Sequence, residues 1–425
     1  MKKILILFFL CPLFVLAQKT ILHCGKLIEP QKLQIMNEIS IIIEGNKIVD
    51  VQKGYIKADL SDKVIDLKNK TVLPGLFDCH VHLESEMKKG DAINEFTQNT
   101  AAIAFESIQY ANITLMSGFT TVRDLGGSTV NIALRNGINK NLLVGPRVYT
   151  AGKMIATTGG HADPTNSYRS DLMGNPGPNE GVINGPDDAY HAVRQRYKEG
   201  SDLIKITATG GVLSQAKDGS NAQFTEEEVK AIVAAAKDYG FKVAAHAHGA
   251  EGIKRAIRGG VNSIEHGSFM DEEGIELMKK YGTYLVPTII AGKSVADSAK
   301  ILGYYTDIVT PKALAIGPLI QGMFAKAYKA GVKIAFGTDA GVYAHGKNWK
   351  EFVYMTEAGM PILECIKAAT VNAADLLGVS NILGTIEKGK LADIIAIDGD
   401  ILKDVSSMSK VKFVMKNGVI YKNEN

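Results

Sequence analysis

Short apolar runs that alternate with loops and amphipathic segments are the feature that most constrains this chain of 425 residues. Alternation of this kind is typical of parallel strands joined by helices, and eight repeats predict an α/β fold, a closed (β/α)8 TIM barrel. A doubly wound open sheet is the alternative, but no G-x-G-x-x-G motif opens the first helix. The clearest intervening helix is predicted over 225–239, where Thr225 and Glu228 form a capping box. The predicted barrel strands are 72–77, 120–123, 147–150, 203–207, 242–245, 263–265, 284–286 and 333–336.

The first seventeen residues have the pattern of a secretory signal peptide. Lys2 and Lys3 precede an apolar stretch at 4–16, which is followed by Ala17. A buried N-terminal strand is the alternative, and the stretch is short for a membrane span, which needs about 20 residues. We therefore expect cleavage near Ala17, a secreted or periplasmic mature protein, and no stable membrane span after signal removal.

The two ends of the mature chain have the sequence pattern of antiparallel sheet, with short β-rich runs separated by turns. β-rich runs with turn signals occupy 20–71, and similar runs return at 392–397 and 411–414. We expect the two ends to pair in one small β-sandwich. The predicted organisation is a signal peptide at 1–17, the N-terminal part of the sandwich at 18–73, the barrel at 74–378 and the C-terminal part of the sandwich at 379–425.

Charge and cysteine content exclude several classes of protein. The formal net charge is +3, and two of these charges lie in the predicted signal peptide. The mature chain is therefore nearly neutral and has no strong positive electrostatic field to attract nucleic acid. Cys24, Cys79 and Cys365 are widely spaced and indicate no disulfide framework. The expected partners are a small-molecule or dipeptide substrate and, in a homo-oligomer, a second copy of the chain.

Candidate reactive residues fall at the ends of predicted strands, where barrel enzymes carry their active sites. His80 and His82 follow the first run, and alternation along an extended segment points both imidazoles the same way. A single histidine is more often structural than a ligand, but several that converge at one barrel mouth reverse that expectation. The other candidates are Lys205 in the fourth run, His246 and His266 at the ends of the fifth and sixth, and Asp339 after the eighth.

Imidazole and carboxylate groups suit zinc and similar divalent ions, and a catalytic site leaves a position open for water. A charged lysine does not fit beside two dications, because the ammonium would be repelled. Lys205 is therefore predicted to lie apart as a neutral amine or to be modified. Reaction with carbon dioxide gives an anionic carbamate whose two oxygens can bridge two metals. A lysine that snorkels to the barrel mouth is the structural alternative.

These segments resemble the amidohydrolase superfamily and, within it, the imidazolonepropionase-like branch that includes prolidase-type carboxydipeptidases. The resemblance covers nearly the whole mature chain and includes the return into the sandwich at 384–393. The matching motifs are Leu73-Pro74-Gly75-Leu76-Phe77-Asp78-Cys79-His80-Val81-His82, Thr120-Thr121-Val122-Arg123-Asp124, Ile204-Lys205-Ile206, Ala245-His246-Ala247-His248-Gly249, Ile264-Glu265-His266-Gly267 and Gly337-Thr338-Asp339-Ala340-Gly341.

The resemblance implies two divalent metal ions, which we expect to be Zn²⁺. It places His80 and His82 on one metal, His246 and His266 on the other, carboxylated Lys205 between them, and Asp339 on the first metal and on the reactive water. Either His246 or His248 could be the ligand. His246 is preferred because it lies nearer the predicted strand end, and His248 then faces substrate.

Two further residues have alternative roles. His161, in Thr158-Gly159-Gly160-His161, resembles the substrate-binding histidine of the branch, and a loop-capping structural role is the alternative. Arg123, at the end of the second strand, is either a substrate contact or half of a structural ion pair with Asp124.

The resemblance implies hydrolysis of an amide or peptide C–N bond. The expected substrate is a dipeptide or N-acyl amino acid with a free C-terminal carboxylate, such as an Xaa-Pro dipeptide. A mononuclear deaminase or cyclic amidase of the imidazolonepropionase type would leave Lys205 without a role. A secreted, metal-containing solute-binding protein is a more distant alternative, against which the intact Asp339 argues.

Overall fold

A computed structural model describes residues 18–217 and 219–424, without the side chains of Ala92 and Glu95. The predicted signal peptide at 1–17 lies outside the described residues. Among the helices of those two ranges, none combines the length and apolarity needed to cross a membrane.

The strands are numbered in chain order. They are β1 (Lys19–Glu29), β2 (Gln34–Glu44), β3 (Lys47–Lys53), β4 (Lys63–Pro74), β5 (Leu76–Val81), β6 (Phe119–Asp124), β7 (Arg147–Thr150), β8 (Ala156–Thr157), β9 (Val182–Ile183), β10 (Ile204–Thr207), β11 (Val243–Gly249), β12 (Ser263–Phe269), β13 (Tyr284–Val286), β14 (Ile394–Ile397), β15 (Val411–Lys416) and β16 (Val419–Asn423).

The α-helices lie mostly between the strands of the central part of the chain. They are α1 (Asn94–Thr97), α2 (Thr100–Met116), α3 (Thr129–Asn139), α4 (Ser170–Met173), α5 (Pro186–Glu199), α6 (Glu226–Asp238), α7 (Ala250–Gly259), α8 (Glu272–Tyr281), α9 (Ile289–Ala299), α10 (Val309–Lys329), α11 (Lys350–Glu357), α12 (Ile362–Lys367) and α13 (Ala373–Leu377). Short 3-10 turns occupy Asp91–Ile93 and Val405–Ser409, and a π turn occupies Ala368–Asn372.

The two chain ends share one seven-stranded sheet in the order β16-β15-β14-β4-β1-β2-β3. The link between the ends is the antiparallel pair β14–β4, in which Ile394 lies opposite Pro74. An all-antiparallel sheet over 20–71 is wrong, because β4 returns beside β1 and runs parallel to it. The turn signal at 44–47 lies between β2 and β3, which pair as an antiparallel hairpin, but it does not indicate where the next strand is inserted. The described residues thus form one mixed sheet at the place where the sequence predicts a sandwich.

The central strands form two parallel sheets, β5-β6-β7 and β10-β11-β12-β13, and backbone hydrogen bonds continue across both gaps between them. On one side, the Asp202 amide donates to the Thr150 carbonyl of β7, and the Ile155 amide donates to the Lys205 carbonyl of β10, both at 2.8 Å. On the other side, the segment 333–340 lies between β13 and β5. The Ala335 amide donates to the Leu285 carbonyl at 3.0 Å, and the Phe336 carbonyl accepts the Cys79 amide at 2.9 Å. We call these seven strands and the segment 333–340 the strand ring.

The predicted first barrel strand, 72–77, is wrong because it joins parts of two sheets. β4 ends at Pro74 in the end sheet, and β5 begins at Leu76 in the strand ring. Gly75 lies between them against Thr120, where any Cβ would overlap the threonine side chain, and its amide donates to the Asp393 carbonyl at 2.8 Å. As a result, His80 lies inside β5, and His82 follows its end.

The helix predicted over 225–239 is confirmed as α6. Thr225 is its N-cap, and the reciprocal bonds between Thr225 and Glu228 complete the predicted capping box. Val229, Ile232 and Ala236 are buried along one face. This helix packs between α5 and α7, so the capping residues fix the start of one of the helices outside the strand ring.

Candidate metal centre

A cavity at the strand ring is lined by the predicted site residues other than Arg123. They come from sequence positions far apart and are brought together by the parallel pairing, because parallel strands end on the same side. Among the residues that line the cavity are His80, His82, His161, Lys205, His246, His248, His266 and Asp339.

His80 in β5 and His82 just after it each keep one ring nitrogen available to the cavity. The Nδ1 atom of His80 lies 2.9 Å from Oε2 of Glu265, and Nδ1 of His82 lies 2.9 Å from the Gly126 carbonyl oxygen. A histidine that binds a metal usually gives its other ring N–H to an acceptor of this kind. The Nε2 atoms of both residues lie near Asp339 Oδ1, at 3.4 Å from His80 and 3.1 Å from His82.

The histidines of β11 and β12 are anchored in the same manner. Nε2 of His246 lies 3.2 Å from the Gly210 carbonyl oxygen. Nδ1 of His248 lies 2.9 Å from Ser268 Oγ, and Nδ1 of His266 lies 2.7 Å from Thr288 Oγ1. β11 extends to Gly249, so both His246 and His248 lie within the strand, and the strand end does not distinguish them. The choice of His246 as ligand stays a prediction.

Two groups of side chains have donor atoms close enough to hold a metal. One consists of His246, His248 and His266, and the other of His80, His266 and Asp339, with all ligand atoms of each group within 4.8 Å of one another. His266 belongs to both groups, so the two groups adjoin. This arrangement of imidazole and carboxylate donors fits divalent transition metals.

The Asp339 carboxylate is buried among basic side chains. Its Oδ1 atom is buried, with the Nε2 atoms of His80 and His82 beside it. Burial raises the pKa of Asp339, but His80, His82 and Lys205 outweigh that effect and lower the pKa well below its ordinary range. A buried, ionised oxygen between two imidazole nitrogens is a group that a bound cation would satisfy.

Lys205 lies in β10 with its Nζ atom 3.4 Å from Nε2 of His80. The side chain is buried, which lowers its pKa to about 8 despite the opposing charges of Glu265 and Asp339. A neutral amine is the form that reacts with carbon dioxide, so the site favours the state that carbamate formation requires. The alternative in which Lys205 snorkels to the barrel mouth does not fit, because the side chain is buried and ends among the histidines.

Arg123 does not lie among the cavity-lining residues of the described ranges, and its predicted ion pair with Asp124 is wrong. Its guanidinium donates to Glu265 Oε1 at 2.8 Å, to Ser263 Oγ at 3.0 Å and to the Cys79 carbonyl at 2.6 Å. Successive residues of a strand point to opposite sides, so Arg123 and Asp124 cannot meet. The structure therefore gives Arg123 a buried supporting role beneath the donors.

Glu265 connects Arg123 to His80, and the sequence assigned no role to it. Burial raises its pKa, but the Arg123 guanidinium and His80 outweigh this and lower the pKa to about 2. An ionised Glu265 holds the proton of His80 on Nδ1 and leaves Nε2 as the metal-binding atom. The signal that could have identified this pair is that Arg123 is the one base of β6 and Glu265 the one acid of β12.

Three site residues adopt left-handed backbone conformations that side chains other than glycine rarely take. They are His266 with φ 72°, Thr288 with φ 50° and Asp339 with φ 61°. Each such residue costs about 1–3 kcal/mol and persists only where its surroundings hold it. Backbone strain thus coincides with two predicted metal ligands, His266 and Asp339, and with Thr288, which contacts His266.

His161 and His248 also line the cavity, and both imidazoles are neutral. Burial, with smaller contributions from His248 and Lys205, lowers the pKa of His161 to about 3, and burial lowers that of His248 to about 4. The His161 ring lies 4.4 Å from that of His246, and its Nδ1 atom is buried without a partner in the described part of the chain.

The remaining wall of the cavity is apolar. It is formed mainly by α9 and α10, which pack against each other along their length. Its residues include Val212, Leu213, Ala291, Gly292, Val295, Ile316, Ile320 and Val342. The site therefore has polar donors at one end and a hydrophobic surface beside them, the usual composition of a small-molecule site.

The model of the amidohydrolase family matches residues 71–421. An ochratoxinase of Aspergillus niger is 32% identical, over 96% of this chain and 87% of that protein. The crystal structure of a Xaa-Pro dipeptidase with methionine bound in the active site has a TM-score of 0.92 and 54% identity, covering 96% of this chain and 100% of that one. A prolidase complexed with N-methylphosphonate-L-proline has a TM-score of 0.86 and 30% identity, with the same coverage.

Proposed function

This chain belongs to the amidohydrolase family and is a hydrolase acting on carbon–nitrogen bonds, and from that premise we propose that it cleaves dipeptides or N-acyl amino acids with a free C-terminal carboxylate at a two-metal centre. The acyl residue of the substrate has an apolar side chain. The metals would be zinc ions, and Lys205 in its carboxylated form would help to hold both of them.

The observation that carries the proposal is the shared anchoring of the imidazoles around Asp339 and Lys205. Five histidines each have one ring nitrogen within hydrogen-bonding distance of a protein atom and the other available to the cavity. One four-coordinate ion cannot use all these donors. His80 and His82 would hold one metal with Asp339, and His246 and His266 would hold the other.

When bound, two divalent metals supply an acidified water and polarise the scissile carbonyl. The residues of the chain provide the proton transfer. Asp339 stays ionised, so Oδ1 can accept the proton of the attacking water and deliver it to the leaving nitrogen. No protein nucleophile is needed.

The cavity wall supports an apolar acyl side chain. Ala291, Gly292 and Val295 of α9 line the cavity together with Ile316 and Ile320 of α10. The similar dipeptidase structure contains methionine, an unbranched apolar amino acid, in its active site. A side chain of that length buries its surface against this wall at about 25 cal/mol per Å².

The substrate carboxylate is assigned to the imidazoles of His161 and His248. Among the described residues that line the cavity, Lys205 is the one lysine or arginine, and carboxylation would make it anionic. Neutral N–H donors are then the groups left to receive a carboxylate. The unpartnered Nδ1 atom of His161 is the best placed of them.

The larger organisation is proposed on the same basis. The hydrogen bonds of the strand ring and its similarity to amidohydrolases support a closed (β/α)8 barrel at 74–378. The segments 18–73 and 379–425 would form the accompanying β domain. The charged and apolar pattern of 1–17 supports secretion to the periplasm or beyond.

A paired substrate screen tests the function. Purified protein is assayed on Xaa-Pro and other dipeptides and on N-acyl amino acids, before and after removal of metal with a chelator. The proposal expects turnover of apolar-Xaa substrates that is lost with the metal and restored by Zn²⁺. Turnover of neutral lactams or aminated bases in place of these substrates would contradict it and would favour the cyclic amidase or deaminase.

A further inference from the structure

Glu351 of α11 is a fully buried acid that lies at the start of another helix. Its Oε1 atom accepts the amide N–H of Ile289 at 2.8 Å, and Oε2 accepts that of Ile290 at 2.7 Å. These are the first two residues of α9. The first amides of a helix have no partner within the helix, and a carboxylate there also interacts favourably with the helix dipole.

The residue immediately before α9 connects this cap to the metal centre. Thr288 has a left-handed backbone, which is strained for a β-branched side chain, and its own side chain makes no cap for the helix. Its Oγ1 atom instead lies 2.7 Å from Nδ1 of His266. The position of that hydroxyl depends on the backbone that Glu351 holds from the other side.

The same helix also carries part of the cavity wall. Ala291, Gly292 and Val295 lie within its first two turns and line the cavity. A shift of the start of α9 would therefore move the Thr288 hydroxyl and the apolar wall together.

We infer that Glu351 is a positioning residue that locks the start of α9, so that Thr288 orients the His266 ring and the cavity wall keeps its distance from the metal donors. The inference rests on the proposed metal centre and not on the identity of the substrate. Glu351 touches no reacting atom and acts through Thr288.

The stability cost of this acid agrees with a functional role. Burial raises the pKa of Glu351 to about 8, against the effect of the Ile290 and Ile289 hydrogen bonds. An acid whose pKa is higher in the folded than in the unfolded state loses stability as the pH rises from the unfolded value through the folded one. At neutral pH the acid therefore costs stability, and a glutamine would avoid that cost but could accept only one of the two amide N–H groups.

The test uses Glu351→Gln in the full chain, with Glu357→Gln on the exposed part of the same helix as the matched control. Co²⁺ is titrated into each metal-free protein and followed by its visible absorption, and thermal unfolding is measured without metal. We expect Glu351→Gln to weaken Co²⁺ binding by about 10 to 100-fold, the usual scale for a residue that supports a ligand. Its melting temperature should stay near that of the parent protein, and Glu357→Gln should match the parent in both measurements.

Further variants test whether Glu351 acts on His266 through Thr288. Thr288→Ala should weaken Co²⁺ binding to a similar extent, and the loss in Glu351→Gln/Thr288→Ala should be less than the product of the two single losses, since they act through one contact. Glu351→Asp retains a carboxyl group on a shorter side chain, and it replaces Glu351→Gln as the test variant if the glutamine variant does not fold. Unchanged Co²⁺ affinity in a folded Glu351 variant would overturn the inference alone. A parent protein that binds no Co²⁺ would instead refute the proposed metal centre.

Discussion

The Nδ1 atom of His80 lies 2.9 Å from Oε2 of Glu265, and both side chains are almost completely buried. The second oxygen of the carboxylate lies 2.8 Å from the Arg123 guanidinium. One acid thus fixes the protonation of a predicted ligand and neutralises a buried base. Removing it should affect metal binding and folding together.

Glu265→Gln is expected to weaken metal binding by about 10 to 100-fold, because His80 loses the acceptor that keeps its proton on Nδ1. The free energy of unfolding should fall by about 3–5 kcal/mol, since a buried Arg123 is left without its counter-charge. Metal titration and urea unfolding measure the two effects. Glu276→Gln, which breaks an exposed pair with Lys279, is the control and should change neither quantity appreciably. Normal metal affinity in Glu265→Gln would show that His80 does not depend on this carboxylate.

Lys205→Ala is expected to lose most of the metal and the activity, because the bridging carbamate cannot form. Short carboxylic acids such as acetate or propionate should restore part of both by occupying the vacated position. Metal analysis and turnover with increasing acid concentration provide the measurement. A fully active Lys205→Arg protein would rule out the carbamate, because a guanidinium forms no such bridge.

Gly292→Ala should discriminate between substrates by the size of the acyl side chain. The added Cβ would approach Cγ2 of Ile320 to 2.8 Å, and the displaced isoleucine side chain would narrow the apolar part of the cavity. We expect kcat/KM for a Met-Pro dipeptide to fall by about 10-fold or more, and that for Ala-Pro to change little. Gly322→Ala is the control, since its Cβ would meet nothing within 4 Å. Equal losses for the two dipeptides would contradict the assignment of this wall.

Recognition of the carboxylate is tested by comparing free-acid and C-terminally amidated substrates. A charge-assisted hydrogen bond contributes about 1.5–3 kcal/mol, which predicts a loss of roughly 10 to 200-fold in kcat/KM for the amide. His161→Ala should lose a similar factor with the free acid and little further with the amide, because both changes remove one interaction. His161→Ala with unaltered preference for the free acid would move this role to another residue.

The sequence predicts the strands of the ring better than their limits. Most of the predicted barrel strands lie within or close to strands of the ring, because strands buried on both faces are apolar throughout. The same continuity hides boundaries: the run at 72–77 crosses from one sheet to another at Gly75, and nothing in its hydropathy marks the change. The parallel insertion of β4 beside β1 is equally invisible, since it depends on pairing between distant segments.

At the candidate site, the residue types identify the donors but not the groups that support them. His80, Lys205 and Asp339 are recognisable because a reactive side chain ends or interrupts an apolar strand. The contacts of Glu265 with Arg123 and of Glu351 with α9 depend on how separate strands and helices meet. Strand alternation could have excluded the Arg123–Asp124 pair, because neighbouring residues face opposite sides.

The central claim is that this hydrolase works with two metal ions, and titration of the metal-free protein with Zn²⁺ tests it most directly. Turnover of an apolar Xaa-Pro dipeptide is measured at each addition, and bound zinc is counted by elemental analysis. The account predicts activity that rises until two zinc ions are bound per chain and then reaches a plateau. Full activity at one bound zinc, or activity that does not depend on zinc, would contradict it.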